Sequence, residues 1–226
     1  MKKRPQSRKA PAPPLERRRG RPPGSRNPDF EKARGTLVVA LRKRLSAADG
    51  ARASFRELAT SAGVSVPTLR HYFGGREGAI EAVLKAAHQV GKHFMRQAIE
   101  APLRPLSEGL RGFAEFVTQG FAVGLADLHS LGLAAGLRDP ALGPAYVNET
   151  LEPTLQCLET ILHRYRDRGD LRADCDVRHA AIAFISPLFV SLLHQGPLGG
   201  RSCRPLDVPE FIRAHVEGFV GGYRAR

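Results

Sequence analysis

Along most of this chain apolar residues recur at steps of three and four, the period of a helix with one buried side, and no stretch alternates as a strand would. Residues 29–45 carry Leu37, Val38, Leu41 and Leu45 on one side, with Asp29 placed to open the helix. Residues 76–100 carry Ile80, Val83, Leu84, Ala87 and Phe94, and Pro102 and Pro105 mark the stop. Ser107 is the expected start of a helix lined by Leu110, Phe113, Ala114, Val117 and Phe121. A short apolar helix over 128–137 follows and closes at Asp139-Pro140. The pattern predicts one longer helix over 146–168, with Val147, Leu151, Leu155, Leu158, Ile161, Leu162 and Tyr165 inward; Pro153 either kinks it or marks its true first turn. The predicted class is all-α.

Two later segments depart from the half-buried pattern. Residues 180–193, AAIAFISPLFVSLL, carry no charge on any side, and a helix apolar all round has to be covered all round. Residues 207–223 carry a stripe of Phe211, Ile212, Val216, Phe219, Val220 and Tyr223, with Pro209 suited to a first turn and Gly218, Gly221 and Gly222 open to close approach. Either the two helices complete the core of one chain, or with their counterparts from a second copy they make a four-helix interface. The interface is the expectation, through Phe184, Leu188, Leu192, Phe211, Val216, Phe219 and Tyr223.

The densest chemistry lies in residues 54–73, SFRELATSAGVSVPTLRHYF. Ser54 and Glu57 have the spacing of a capping box ahead of a helix carrying Leu58 and Ala59. Gly63 sits where that helix must stop and turn. Val64 anchors the turn, and Ser65 can cap a second helix with Leu69 and Tyr72 on its buried side. Small residue, glycine, then apolar residues at these offsets make helix-turn-helix spacing. The exposed side of the second helix would carry Val66, Pro67, Thr68, Arg70 and His71, which offer donors for base edges and phosphates and apolar groups for a thymine methyl. Ser54, Ser65, Tyr72 and Arg76 complete the candidate DNA contacts of this region. Arg76 stands at a helix start, where the macrodipole opposes a cation, and a nearby phosphate would account for it.

Charge adds a second contact region. Of the net +13 in 226 residues, +9 belongs to residues 1–28, which hold ten Lys or Arg against one Glu. This Pro- and Arg-rich arm has almost no large apolar residue with which to build a core. Within it Arg19-Gly20-Arg21-Pro22 is AT-hook-like: Arg19 and Arg21 either enter a narrow A·T minor groove or belong to a cationic tail without sequence preference. The division expected is an arm at 1–28, a reader at 29–75 and an effector-binding and dimerisation domain at 76–226. Cys157, Cys175 and Cys203 show no CxxC pairing and suit a reduced, cytoplasmic protein; no apolar signal or membrane span is expected.

Over about residues 30–90 the chain resembles the TetR family of one-component bacterial transcription regulators. The resemblance rests on Leu58, Ala59, Ala62, Gly63, Val64, Ser65, Thr68, Leu69, Tyr72, Phe73, Arg76 and Glu77, against a family segment of the form IAxxAGVSxxTLYxHFxxKExL. Arg70 stands where the family often has Tyr, Tyr72 replaces the usual His, and Val66-Pro67 replaces a common Lys-Gly or similar pair. These departures bear on which operator is read. The resemblance implies an all-helical homodimer with a small N-terminal reader and a divergent C-terminal domain that binds a small effector. It carries the family's basic residue after the recognition helix onto Arg76.

Phe113, Phe116, Phe121, His129, Phe184, Phe189 and His194 are the candidate pocket residues, for a mostly apolar effector. The two histidines are the most informative, because an imidazole on an apolar helix needs a partner. No metal site is expected, since His88 and His93 stand five apart without a Cys or carboxylate cluster, and no cofactor is expected either. The sequence shows no paired carboxylates, nucleophile elbow or phosphate-binding glycine loop, so no enzyme is expected. The function expected is a transcription regulator, a repressor that leaves double-stranded operator DNA when its effector binds. The alternative is an architectural DNA binder that relies on its basic arm and has no effector.

Overall fold

A computed structural model describes residues 28–47 and 49–225. The arm, with Arg19 and Arg21, lies outside the described residues. Helix α1 (Pro28–Leu45) is followed by a 3-10 turn (Gly50–Arg52), α2 (Phe55–Ser61), α3 (Val66–Phe73) and the long α4 (Arg76–Glu100). Then come α5 (Leu106–Gly120), α6 (Ala126–Gly136), α7 (Leu142–Tyr146), α8 (Glu152–Asp167), α9 (Val177–Gln195), the short α10 (Gly200–Cys203) and α11 (Val208–Tyr223). Among the described residues the only β pairing is an isolated antiparallel bridge between Leu171 and Arg224. The fold is all-α.

Two helices run on through looser π-type turns, in which the backbone bonds reach one residue further than in an α-helix. Phe121–Leu125 joins α5 to α6, and Val147–Leu151 joins α7 to α8. The second of these corrects the expected single helix over 146–168. Pro153 sits in the first turn of α8, where its missing N–H costs nothing, and the ladder is rebuilt before it. Phe94 is also not inward: it is 53% exposed on the second half of α4.

The buried residues form two cores. One joins Leu37, Leu41 and Leu45 of α1, Leu58 of α2, Leu69 and Phe73 of α3, and Ile80, Val83 and Leu84 of α4 to Leu128, Leu131 and Ala135 of α6 and Leu142 and Tyr146 of α7. The other joins α5, α8, α9 and α11 through Leu110, Phe113, Leu158, Leu162, Phe184, Leu188, Val216 and Phe219. Three side chains at the C-terminal end of α8, the last of them on the capping residue Arg168, clasp the carbonyl end of α4 and the loop after it. Arg164 donates to the carbonyls of Ile99 and Ala101, the latter at 2.9 Å. Arg168 donates to Leu103 O at 3.0 Å and Arg104 O at 2.8 Å, and the Tyr165 hydroxyl donates to Arg104 O at 3.2 Å. Carbonyls that the end of a helix leaves unpaired are thus satisfied by charged donors.

Phe184, Leu188, Val216 and Phe219, four of the seven expected interface residues, are buried inside the single chain. They are core residues, not interface residues, because α9 and α11 pack their apolar stripes against each other and against α5 and α8. Leu192, Phe211 and Tyr223 also pack on this core and are partly buried. The opposite faces remain open: on α9 Ile182, Ala183, Ser186 and Val190, the last 63% exposed, and on α11 Ala214, Gly218, Gly221 and Gly222.

Candidate nucleic-acid interface and effector site

The reader is built by local bonds between neighbours in sequence. The Ser54 N–H donates to Glu57 Oε2 at 2.7 Å and the Glu57 N–H to Ser54 Oγ at 3.3 Å, a complete capping box that also holds the Glu57 carboxyl below its ordinary value. Gly63 takes φ +68°, which a residue with a Cβ rarely adopts, and turns the chain between α2 and α3. Ser65 Oγ accepts from the Thr68 N–H at 3.2 Å and lies 2.8 Å from the Thr68 hydroxyl. Leu69 is fully buried, and this fixes the side of α3 that faces outward.

That outward side carries Pro67, Thr68, Arg70 and His71, all exposed, and α3 contains no acidic residue. Arg70 lies over the Phe55 ring at 5.5 Å and reaches back to Gly74 O at 3.4 Å. Val66 is only half exposed and packs against the reader core. Tyr72 is half buried as well, its ring stacked at 4.7 Å on Phe30 of α1, with His71 edge-on to Phe30 at 5.7 Å. The Phe30 stack was not foreseen from the sequence, because its partners lie more than forty residues on. It fixes the first turn of α1 beside the last turn of α3.

Arg76 has a partner within the chain. Its Nε donates to Ala53 O at 2.8 Å and its Nη2 to Ala51 O at 2.6 Å, so the guanidinium braces the loop between α1 and α2. A phosphate is not needed to explain a cation at this helix start.

The seven pocket candidates do not share one place. Phe121, His129 and Phe189 do come together: the His129 ring stacks on Phe121 at 5.0 Å and meets Phe189 edge-on at 4.8 Å. Phe113 and Phe116 pair with each other at 5.9 Å. Phe184 lies instead between α9 and α11 against His215 and Phe219, and His194, 2.8 Å from Gln195 Nε2, stands at the end of α9. Helical spacing shows which residues point inward but not toward which neighbour, so it could not separate these groups.

His129 is buried, and its Nδ1 lies 2.8 Å from the Tyr146 hydroxyl. Tyr146 is the partner that the sequence did not reveal; it lies 17 residues away, beyond a turn. Burial pushes the His129 imidazole down from 6.5 to about 4 and the Tyr146 phenol far above its ordinary range, so both are neutral near pH 7. A base held neutral in the fold loses protection when the unfolded chain can take the proton. Stability is therefore fully present above pH 6.5, falls between 6.5 and about 4, and levels off below that. A urea midpoint series over this range in the parent chain and in His129→Gln should show the histidine's share of the slope absent from the variant.

Residues 105–204 match the family model of the tetracyclin repressor-like C-terminal domain. No curated protein matches the sequence. The fold is similar to that of a TetR-family transcriptional regulator from Mesorhizobium loti, with a TM-score of 0.72 and 19% identity over 88% of this chain and 100% of that one. It is also similar to a transcriptional regulator from Saccharomonospora viridis solved with choline, with a TM-score of 0.66 and 16% identity over 87% of this chain and 100% of that one. A third similar structure is the regulator FadR from Bacillus subtilis with stearoyl-CoA, with a TM-score of 0.58 and 20% identity over 85% of this chain and 98% of that one. A capped helix-turn-helix thus stands in front of a C-terminal half that matches the tetracyclin repressor-like model over residues 105–204, and the fold is that of solved TetR-family transcriptional regulators.

Proposed function

We propose that the protein is a ligand-responsive repressor that binds duplex operator DNA as a homodimer in the cytoplasm and has no catalytic role. The observation that carries this reading is α3, which contains no acidic residue and exposes Pro67, Thr68, Arg70 and His71 on a helix pair whose two N-termini are both capped by serine. Thr68, Arg70 and His71 read base edges, and Ser54, Ser65, Val66, Pro67 and Tyr72 line the groove around them. Arg76 acts by holding the loop before α2. The dimer forms through the open faces of α9 and α11, which expose Ile182 and Val190 on one helix and Gly218, Gly221 and Gly222 on the other. It sets the two α3 helices roughly 34–36 Å apart, one turn of DNA. The effector is a mostly apolar small molecule that reaches Phe121, His129 and Phe189. Structures of the same fold holding choline and stearoyl-CoA support a small-molecule role for the C-terminal half.

Selecting bound sites from random duplex with the full chain tests the reading. The expected product is a pseudo-palindrome with half-sites about 10 base pairs apart. A preference no stronger than for unselected duplex overturns it. The basic arm favours a second reading, an architectural binder, and deletion of residues 1–28 separates the two. In the first reading the arm, through Arg19 and Arg21, enters an A·T minor groove beside the half-site and adds affinity rather than the main preference. Its removal should weaken binding and flatten the salt dependence, each lost phosphate contact lowering the log–log slope by about 0.9, while the selected site stays preferred. Loss of all preference on deletion would favour the architectural reading.

A further inference from the structure

A neutral imidazole has one N–H donor and one bare nitrogen, and its neighbours decide which is which. In His129 the choice falls to Tyr146, whose hydroxyl lies 2.8 Å from Nδ1. A phenol is a strong donor and its oxygen a poor acceptor, whereas an unprotonated imidazole nitrogen is a good acceptor. The Tyr146 hydroxyl therefore donates to Nδ1, and the ring proton of His129 sits on Nε2. Among the described residues Nε2 has no hydrogen-bond partner, although His129 is only 6% exposed. Every fully enclosed side-chain nitrogen or oxygen among the described residues does have one. Nε2 thus touches space that a water-sized atom can reach, and it offers a donor there.

The surroundings limit what can accept it. Phe121 lies flat on the His129 ring and Phe189 meets it edge-on, so the walls suit another flat, apolar group. Burial alone shifts the imidazole down and the Tyr146 phenol up; among the described residues no charged group acts on either. An ionised ligand would find nothing here to balance it. Phe121 also opens the π-type turn in which Val123 and Gly124 leave helical geometry, so this wall stands outside a regular helical ladder. We infer that the site takes an uncharged, flat carbonyl compound, whose oxygen accepts from His129 Nε2 beside the rings of Phe121 and Phe189. The inference rests on the reading of these three residues as the effector site and names the chemistry that they select.

Three compounds of one shape test it on the full chain, with binding followed by histidine side-chain NMR. They are acetophenone, α-methylstyrene, which has a methylene group in place of the carbonyl oxygen, and benzoate, which has a charged carboxylate in place of the acetyl group. Acetophenone should bind about tenfold or more tighter than α-methylstyrene, and benzoate should fall below acetophenone by at least about as much. His129→Phe should bring acetophenone and α-methylstyrene within about twofold of each other. The parent spectrum, which needs no variant to fold, should show the His129 proton on Nε2. The inference is overturned by a proton on Nδ1, by equal binding of acetophenone and either analogue, or by a preference that survives His129→Phe. Failure of all three compounds to bind at millimolar concentration overturns it as well. Operator selection is run without them and judges the regulator reading separately. Acetophenone bound at His129 with operator affinity unchanged would sink the effector reading and leave the ligand chemistry standing.

Discussion

Phe184→Ala should lower the unfolding free energy by about 3–5 kcal/mol, the usual range for emptying a buried phenylalanine site, and lower the melting temperature by on the order of ten degrees. Phe184 is fully buried, with its ring edge-on to Phe219 at 5.0 Å and tilted against His215 at 5.1 Å. His215 Nε2 also lies 2.8 Å from the Phe184 carbonyl oxygen, so α9 and α11 are tied through main chain and side chain at one point. Scanning calorimetry at several protein concentrations separates a core role from an interface role. A core residue lowers the melting temperature equally at every concentration, whereas an interface residue makes it more dependent on concentration. Val190→Arg, on the open face of α9, is the contrasting variant: it should change the concentration dependence and leave the core intact. A Phe184→Ala chain that melts like the parent when dilute would return Phe184 to the interface.

Gly132→Ala should be the most damaging methyl that can be added to α6. A Cβ there would lie 2.0 Å from Tyr146 Cδ2 and 2.6 Å from Cε2, too near for the ring to stay. The ring cannot slide away and keep the 2.8 Å contact with His129, so the variant either strains α6 against α7 or leaves a buried imidazole without its partner. Overpacking costs about 1–3 kcal/mol, and a buried polar group left unsatisfied about 1–3 kcal/mol. Combining it with Tyr146→Val removes the ring and the clash together. Urea unfolding of the double variant should therefore show less than the sum of the two single losses. Strict additivity would mean that Tyr146 does not fill the space above Gly132.

The reader was legible in the sequence because its signals are local. Ser54 and Glu57, or Ser65 and Thr68, settle their bonds three residues apart, and Gly63 marks the turn between them. What could not be read was the identity of distant partners. The stripe of α11 looks the same whether it meets α9 of its own chain or of a second copy, so the spacing does not reveal that Phe184, Leu188, Val216 and Phe219 are buried within one chain. The π-type turn at Val147–Leu151 keeps nearly the helical spacing of apolar residues, so the pattern ran through it unbroken. Arg76 showed a cation at a helix start but not the Ala51 and Ala53 carbonyls that receive it. The same limit hid Tyr146 from His129 and scattered the seven pocket candidates over separate sites.

Because Arg164 grips the far end of α4, and Tyr165 and Arg168 the loop directly after it, that helix is a lever with one end clamped. About 15 residues separate Gly91 from Arg76, roughly 22 Å of helix at 1.5 Å per residue. Each degree of bend at Gly91 then carries the start of α4 sideways by about 0.4 Å by the same geometry. In a twofold assembly the opposite displacements double, so a bend of only a few degrees in each copy would take both α3 helices out of step with successive grooves.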